Sequence, residues 1–227
     1  MKVISLGYTC YVKDLIKQTN FNKDTDIFDW INSFEFSKNV KSLDNKYNIF
    51  ENIIKSPLNI DLNSNNVYYN TTYSFRIPHE TNLDESKKTY ERRYERFINY
   101  KTSDEKFVFI RQINRGRYSI SLENLENNYN NEIYEKIISY LPTQSIILLI
   151  THEKLSLNDK NKISNNFILL DNSISPDHIA YGDYLFYKNN IIKYYNELLN
   201  YINNNFNKLD INVMKEFIKN EKIGINN

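Results

Sequence analysis

The chain has 227 residues, enough for one sizeable hydrophobic core and short for two. Four glycines, four prolines and an apolar share of 41% argue against a turn-dense sandwich or barrel and against a disordered tail. A formal charge of +1, with acidic and basic residues interleaved, offers no electrostatic footprint for nucleic acid or an anionic membrane, so neither is expected as a partner.

One cysteine excludes an intramolecular disulfide framework and fits a reducing compartment. Met1-Lys2 runs straight into Val3–Leu6, too short for a signal segment, and no apolar stretch could span a bilayer. These features predict an intracellular, cytoplasmic protein, in which the sequon Asn70-Thr71-Thr72 stays idle. No linker or internal repeat divides residues 1–227, which read as a single α/β domain. The surplus of Asn, Ile, Lys and Tyr fits the codon bias of an AT-rich genome and carries no function.

In chain order, Val3–Leu6 reads as a strand closed by Gly7, followed by Tyr8-Thr9-Cys10 and a helix with Val12, Leu15 and Ile16 on one face. Asp26–Phe36 holds the single tryptophan, Trp30, in an aromatic cluster with Phe28, Phe34 and Phe36. A helix is expected around Ser37–Tyr47, a second short one near Phe50–Lys55, and β structure within Val67–Ile77. Lys87–Tyr100 is the clearest helix, with Tyr90, Tyr94, Phe97 and Ile98 forming one buried stripe.

Phe107–Ile110 reads as a buried strand ending in Arg111, and Asn131–Leu141 as a helix stopped by Pro142. Ser145–Ile150 and Phe167–Leu170 are further apolar strands, ending at Thr151-His152 and at Asp171. Tyr184–Tyr187 is expected as a last short strand, then a helix carrying Ile191, Tyr195, Leu198 and Ile202, and a final helix at Val213–Ile218. Unbroken apolar strands alternating with helices predict a mainly parallel, Rossmann-like sheet with helices on both faces. In such sheets the site lies outside the carboxyl ends of the strands, which gathers Cys10, Arg111, His152 and Asp171 on one rim.

Cys10 is the leading chemical candidate. Gly7 lets the chain turn after the strand, and a cysteine at a helix amino end meets unpaired amides and a dipole that favour the thiolate. The same amides can serve as an oxyanion hole. The bland alternative is a small buried residue at a strand–helix junction. A nucleophilic cysteine needs a base, and His79, His152 and His178 all qualify by type, with Glu80 beside His79 able to orient its ring. Asp29, between Phe28 and Trp30, reads either as a buried carboxylate seeking histidine or arginine or as a helix cap.

Arg92, Arg93 and Arg96 alternate with Glu91 and Glu95 and form a self-paired face. Arg111, directly after a buried strand, could hold a substrate carboxylate or that of Asp29. Asn114-Arg115-Gly116-Arg117 is too small a basic turn to imply RNA. Without HxH, HExxH or CxxC spacing, neither a metal nor another cofactor is expected.

Ser5-Leu6-Gly7-Tyr8-Thr9-Cys10, Phe28-Asp29-Trp30, Pro78-His79-Glu80, Tyr90–Phe97, Phe107–Arg111 and Tyr181-Gly182-Asp183 occur in that order. Together they resemble a family catalogued as papain-like cysteine peptidases, over most of the chain from the first strand to about Tyr187. Ile27 stands where that family's pattern has proline, and Glu80 where it has aspartate. The resemblance implies Cys10 as nucleophile, His79 as base, and Asp29 or Glu80 as the orienting carboxylate. It also implies Gly7, Tyr8, Trp30, Arg111 and Asp183 around the substrate, and a papain-like α+β fold as the alternative architecture. Two other functions compete: a Rossmann-like transferase acting on a nucleotide-activated sugar, and a non-catalytic interaction module.

Overall fold

The apolar runs read from the sequence become the central strands of a sheet in the computed structural model, which describes residues 1–7, 10–21, 24–33, 35–55, 68–77, 82–113, 124–151, 155–171 and 183–206. Within those spans the side chains of Cys10, Tyr11, Asp14, Leu15, Lys55, Thr151, Leu170, Asp171, residues 183–191 and Tyr194 are outside the description. The first half contains β1 (Lys2–Ser5), α1 (Cys10–Gln18), β2 (Asn32–Ser33), α2 (Phe36–Ser42), β3 (Ile53–Lys55), β4 (Tyr68–Asn70) and β5 (Phe75–Ile77). The second contains α3 (Leu83–Asn99), β6 (Phe107–Gln112), α4 (Leu125–Asn128), α5 (Asn131–Ile138), β7 (Ser145–Thr151), α6 (Leu157–Lys160), β8 (Ile168–Asp171) and α7 (Asp183–Asn205).

Strands β1, β6, β7 and β8 form a wholly parallel sheet in that order, with Val3 opposite Val108, Ile110 opposite Leu148 and Ile150 opposite Leu170. Period-two alternation sends their side chains to opposite faces. Val3, Val108, Ile110, Leu148, Ile150 and Ile168 pack with Val12 and Ile16 of α1 and with Tyr195, Leu198, Leu199 and Ile202 of α7. Ile4, Leu6, Phe107, Phe109, Ile147 and Leu149 face the other way, onto Tyr90 and Phe97 of α3 and Ile133 and Ile137 of α5. Helices therefore cover both faces of a parallel sheet, as the alternation predicts.

A second, antiparallel sheet has the order β2-β5-β4-β3. Phe75 and Ile77 of β5 join the same hydrophobic cluster as Phe107 and Phe109, so one core spans both sheets in a mixed α/β domain. The β4–β5 hairpin turns through residues 71–74, where the Asn70 side chain accepts from the Tyr73 amide at 2.7 Å and donates to the Ile49 carbonyl at 2.8 Å.

Two expected elements differ. Phe50–Lys55 is a turn leading into β3, not a helix: Asn52 has a left-handed φ of 55°, and Ile53 and Ile54 extend the antiparallel sheet against Tyr69 and Asn70. Tyr184–Tyr187 is the first part of α7, not a strand. A four-residue apolar run fits a buried helix as well as a strand, and here it continues into the helical spacing of Tyr195, Leu198 and Ile202. The expected helix at Val213–Ile218 lies outside the described residues. Among the described residues no helix is long and apolar enough to cross a membrane.

Candidate functional site

Parallel pairing puts the carboxyl ends of β1, β6, β7 and β8 along one edge of the sheet. Between β1 and α1, Gly7 has φ +82°, a left-handed conformation that suits glycine. The space is closed as well: a Cβ at Gly7 would stand 2.8 Å from Ser33 Oγ and 3.5 Å from Arg111 Nη1. Cys10 is the first residue of α1, so its backbone stands where the helix amides are unpaired and the dipole is positive.

Alternation along β6 puts Arg111 on the same face as Phe107 and Phe109, inside the protein, with 0% exposure. Its guanidinium lies 5.0 Å from the Phe36 ring centroid and spends its donors on the surrounding framework. Nη1 donates to the Leu6 carbonyl at 3.2 Å and to Ser33 Oγ at 2.8 Å, Nη2 to the Ser33 carbonyl at 2.9 Å, and Nε to the Tyr129 hydroxyl at 3.2 Å. One side chain from the parallel sheet thus holds the end of β1 and the whole of Ser33 in the antiparallel sheet.

Asp29 lies in a tight turn over Ile27–Trp30 rather than at the start of a helix. Its amide donates to the Asp26 carbonyl at 3.1 Å, and its Oδ2 accepts from the Asp26 amide at 2.7 Å. Trp30 follows with a left-handed φ of 64°, costly for a bulky residue, so its surroundings must hold it there. Tyr90 of α3 contributes by donating its hydroxyl to the Asp29 carbonyl at 3.1 Å. The Trp30 ring is half-buried, with the Lys17 ammonium 4.2 Å from its centroid.

The ionic partner of Asp29 is Lys13 of α1, whose Nζ lies 2.9 Å from Oδ2 with both side chains almost wholly buried. Burial pushes the Asp29 carboxyl up to about 6, against the opposing pull of the Lys13 charge and the Asp26 amide. Asp26 is buried too: its Oδ1 accepts from the Tyr100 hydroxyl at 3.0 Å and faces Arg96 Nε at 3.6 Å. Asp29 Oδ1 and Asp26 Oδ2 have no hydrogen-bond partner among the described residues.

The structure thus brings Gly7, the backbone of Cys10, Asp29, Trp30 and Arg111 into one neighbourhood around the end of β1. Tyr8, His79, Glu80, His152 and His178 lie outside the described residues, and Asp183 is described only as the first residue of α7. Among the described residues no group of three His, Cys, Asp or Glu side chains could hold a metal. Sequence reasoning misses Lys13, Asp26, Ser33 and Tyr129. The one signal for Lys13 is its place beside Val12 on a helix whose apolar stripe is buried; Ser33 and Tyr129 carry none.

A family model described as a putative papain-like cysteine peptidase matches residues 1–154, a span that includes every part of this neighbourhood. No curated protein and no solved structure matches the chain.

Proposed function

Because the chain belongs to the putative papain-like cysteine peptidase family, which its residues 1–154 match, we propose that it is a cysteine-dependent hydrolase or acyl transferase. Cys10 is the nucleophile and His79 its base, with Asp29 or Glu80 orienting the imidazole. The observation that carries this reading is the place of Cys10, the opening residue of α1, the helix that follows β1 and the left-handed Gly7.

In the proposed reaction His79 takes the thiol proton, and the thiolate sulfur attacks the carbonyl carbon of an amide or ester. The tetrahedral oxyanion is stabilised by amides at the start of α1, and the imidazolium returns its proton to the leaving amine or alcohol. Water or another acceptor then resolves the thioacyl enzyme. Gly7, Tyr8, Trp30 and Asp183 are the residues we place beside the substrate. Arg111, with its donors directed at Leu6, Ser33 and Tyr129, serves by fixing the loop that leads to Cys10.

Alkylation by iodoacetamide tests the reading directly. Cys10 should react with the folded protein and titrate well below a free thiol, and His79→Ala should abolish the enhanced rate. A Cys10 that stays inert until the protein is denatured would overturn it.

A further inference from the structure

The cysteine chemistry proposed above employs a thiol, an imidazole and a carboxylate, and leaves one buried charge without a task. Lys13 has a side-chain exposure of 1%, a rare position for a lysine unless it is paired. Its ammonium donates to Asp29 Oδ2 at 2.9 Å and to the Asp24 carbonyl. Lys13 also belongs to α1, one helical turn beyond Cys10.

The pair spans an edge of the parallel sheet. β1 is the edge strand, α1 packs on one face through Val12 and Ile16, and the turn carrying Asp29 sends Phe28 into the core of the other. Around Asp29, Lys13 supplies the only cation in ion-pair contact among the described residues. Asp26, in the same turn, adds a like charge; Tyr47 faces it as a neutral phenol; Tyr90 donates its hydroxyl to the Asp29 carbonyl; Arg96 and Tyr100 of the α3 region are directed at Asp26. Lys13 and the Asp26 amide both occupy Oδ2, which leaves Oδ1 with its acceptor capacity unused among the described residues.

We propose that Lys13 is a positioning residue: its ion pair, made from the helix that Cys10 opens, keeps Asp29 ionised and aimed so that Oδ1 can accept from the catalytic imidazole. This rests on the reading of Cys10, His79 and Asp29 given above. Without the lysine charge, burial and Asp26 both favour the protonated acid, which cannot stabilise an imidazolium. The thiolate–imidazolium pair then weakens, and Cys10 needs a higher pH to ionise.

The test follows Cys10 alkylation by iodoacetamide against pH in the full chain, with the Asp29 carboxyl titrated by carbon NMR in the same samples. Lys13→Met should raise the Asp29 midpoint by a unit or more and slow alkylation at pH 7 by about tenfold, one pH unit of ionisation. Lys13→Arg, which restores the charge, should recover most of the rate. Should Lys13→Met fail to fold, the neutral pair K13M/D29N is compared with Asp29→Asn; equal alkylation rates are expected if Lys13 acts only through Asp29, and a slower double variant overturns the role. A wild-type thiol with an ordinary profile overturns the cysteine reading and this one with it. A perturbed wild-type profile that Lys13→Met leaves unmoved overturns the positioning role alone.

Discussion

Asp29 shows how a single carboxylate can be held buried at the candidate site at a cost to the fold. Its pKa rises from 3.8 to about 6 because burial outweighs the help from Lys13 and the Asp26 amide. Below pH 3.8 the folded and unfolded chains both carry the proton. Between there and pH 6 only the folded chain holds it, so the Asp29 contribution to stability is fully present at low pH and is lost as pH rises through 6. The swing amounts to about 3 kcal/mol by proton linkage. Urea unfolding of the wild type and Asp29→Asn at pH 4 and pH 7.5 measures it: the wild type should gain on the variant at the lower pH. A difference that stays constant between the two would show that Asp29 titrates like an ordinary aspartate.

At the scale of elements, local chemistry sets the boundaries that the hydrophobic pattern leaves open. Helix α3 begins at Leu83, four residues before the apolar stripe suggests, because Asn82 caps it: its side-chain oxygen accepts from the Asp84 and Glu85 amides at 3.1 and 3.3 Å. Asp84 and Glu85 in the first turn add charge that complements the helix dipole. Asn82→Ala should therefore cost about 1 kcal/mol in urea unfolding while leaving the packing of Phe97 undisturbed. An unchanged midpoint would mean that Phe97 and Tyr90 alone fix where the helix starts. The buried strands were legible because a parallel sheet covered on both faces demands unbroken apolar runs, as in Phe107–Ile110 and Ser145–Ile150. Ile53–Lys55 and Tyr184–Tyr187 were not, since so short a run acquires its conformation from the neighbours it meets. Within the site, Asp29 could be recognised as a buried carboxylate from its aromatic flanks. Its pairing with Lys13, sixteen residues earlier, depends on how α1 crosses the edge of the sheet, which no local spacing records.

Among the described residues two sheets share one core, and Arg111 joins them by polar contacts. From β6 it reaches the Leu6 carbonyl at the end of β1, both the hydroxyl and carbonyl of Ser33 in β2, and the Tyr129 hydroxyl. A buried guanidinium can serve partners in several directions because its donors lie in a fixed planar fork, whereas an ammonium presents its protons from one point. Arg111→Lys keeps the charge and loses that fork, so the bonds to the Leu6 carbonyl, to Ser33 and to the Tyr129 hydroxyl cannot all be kept. The variant should lose about 2–4 kcal/mol of stability, the cost of two or so charge-assisted hydrogen bonds in a desolvated site. Amide exchange should quicken in β2 and β5, whose pairing of Ser33 with Phe75 depends on that anchor, and change least in α5. If Arg111 instead acted mainly on substrate, Arg111→Lys would retain wild-type stability and exchange while losing activity. The two outcomes separate a brace from a binding residue, and the 0% exposure of Arg111 favours the brace.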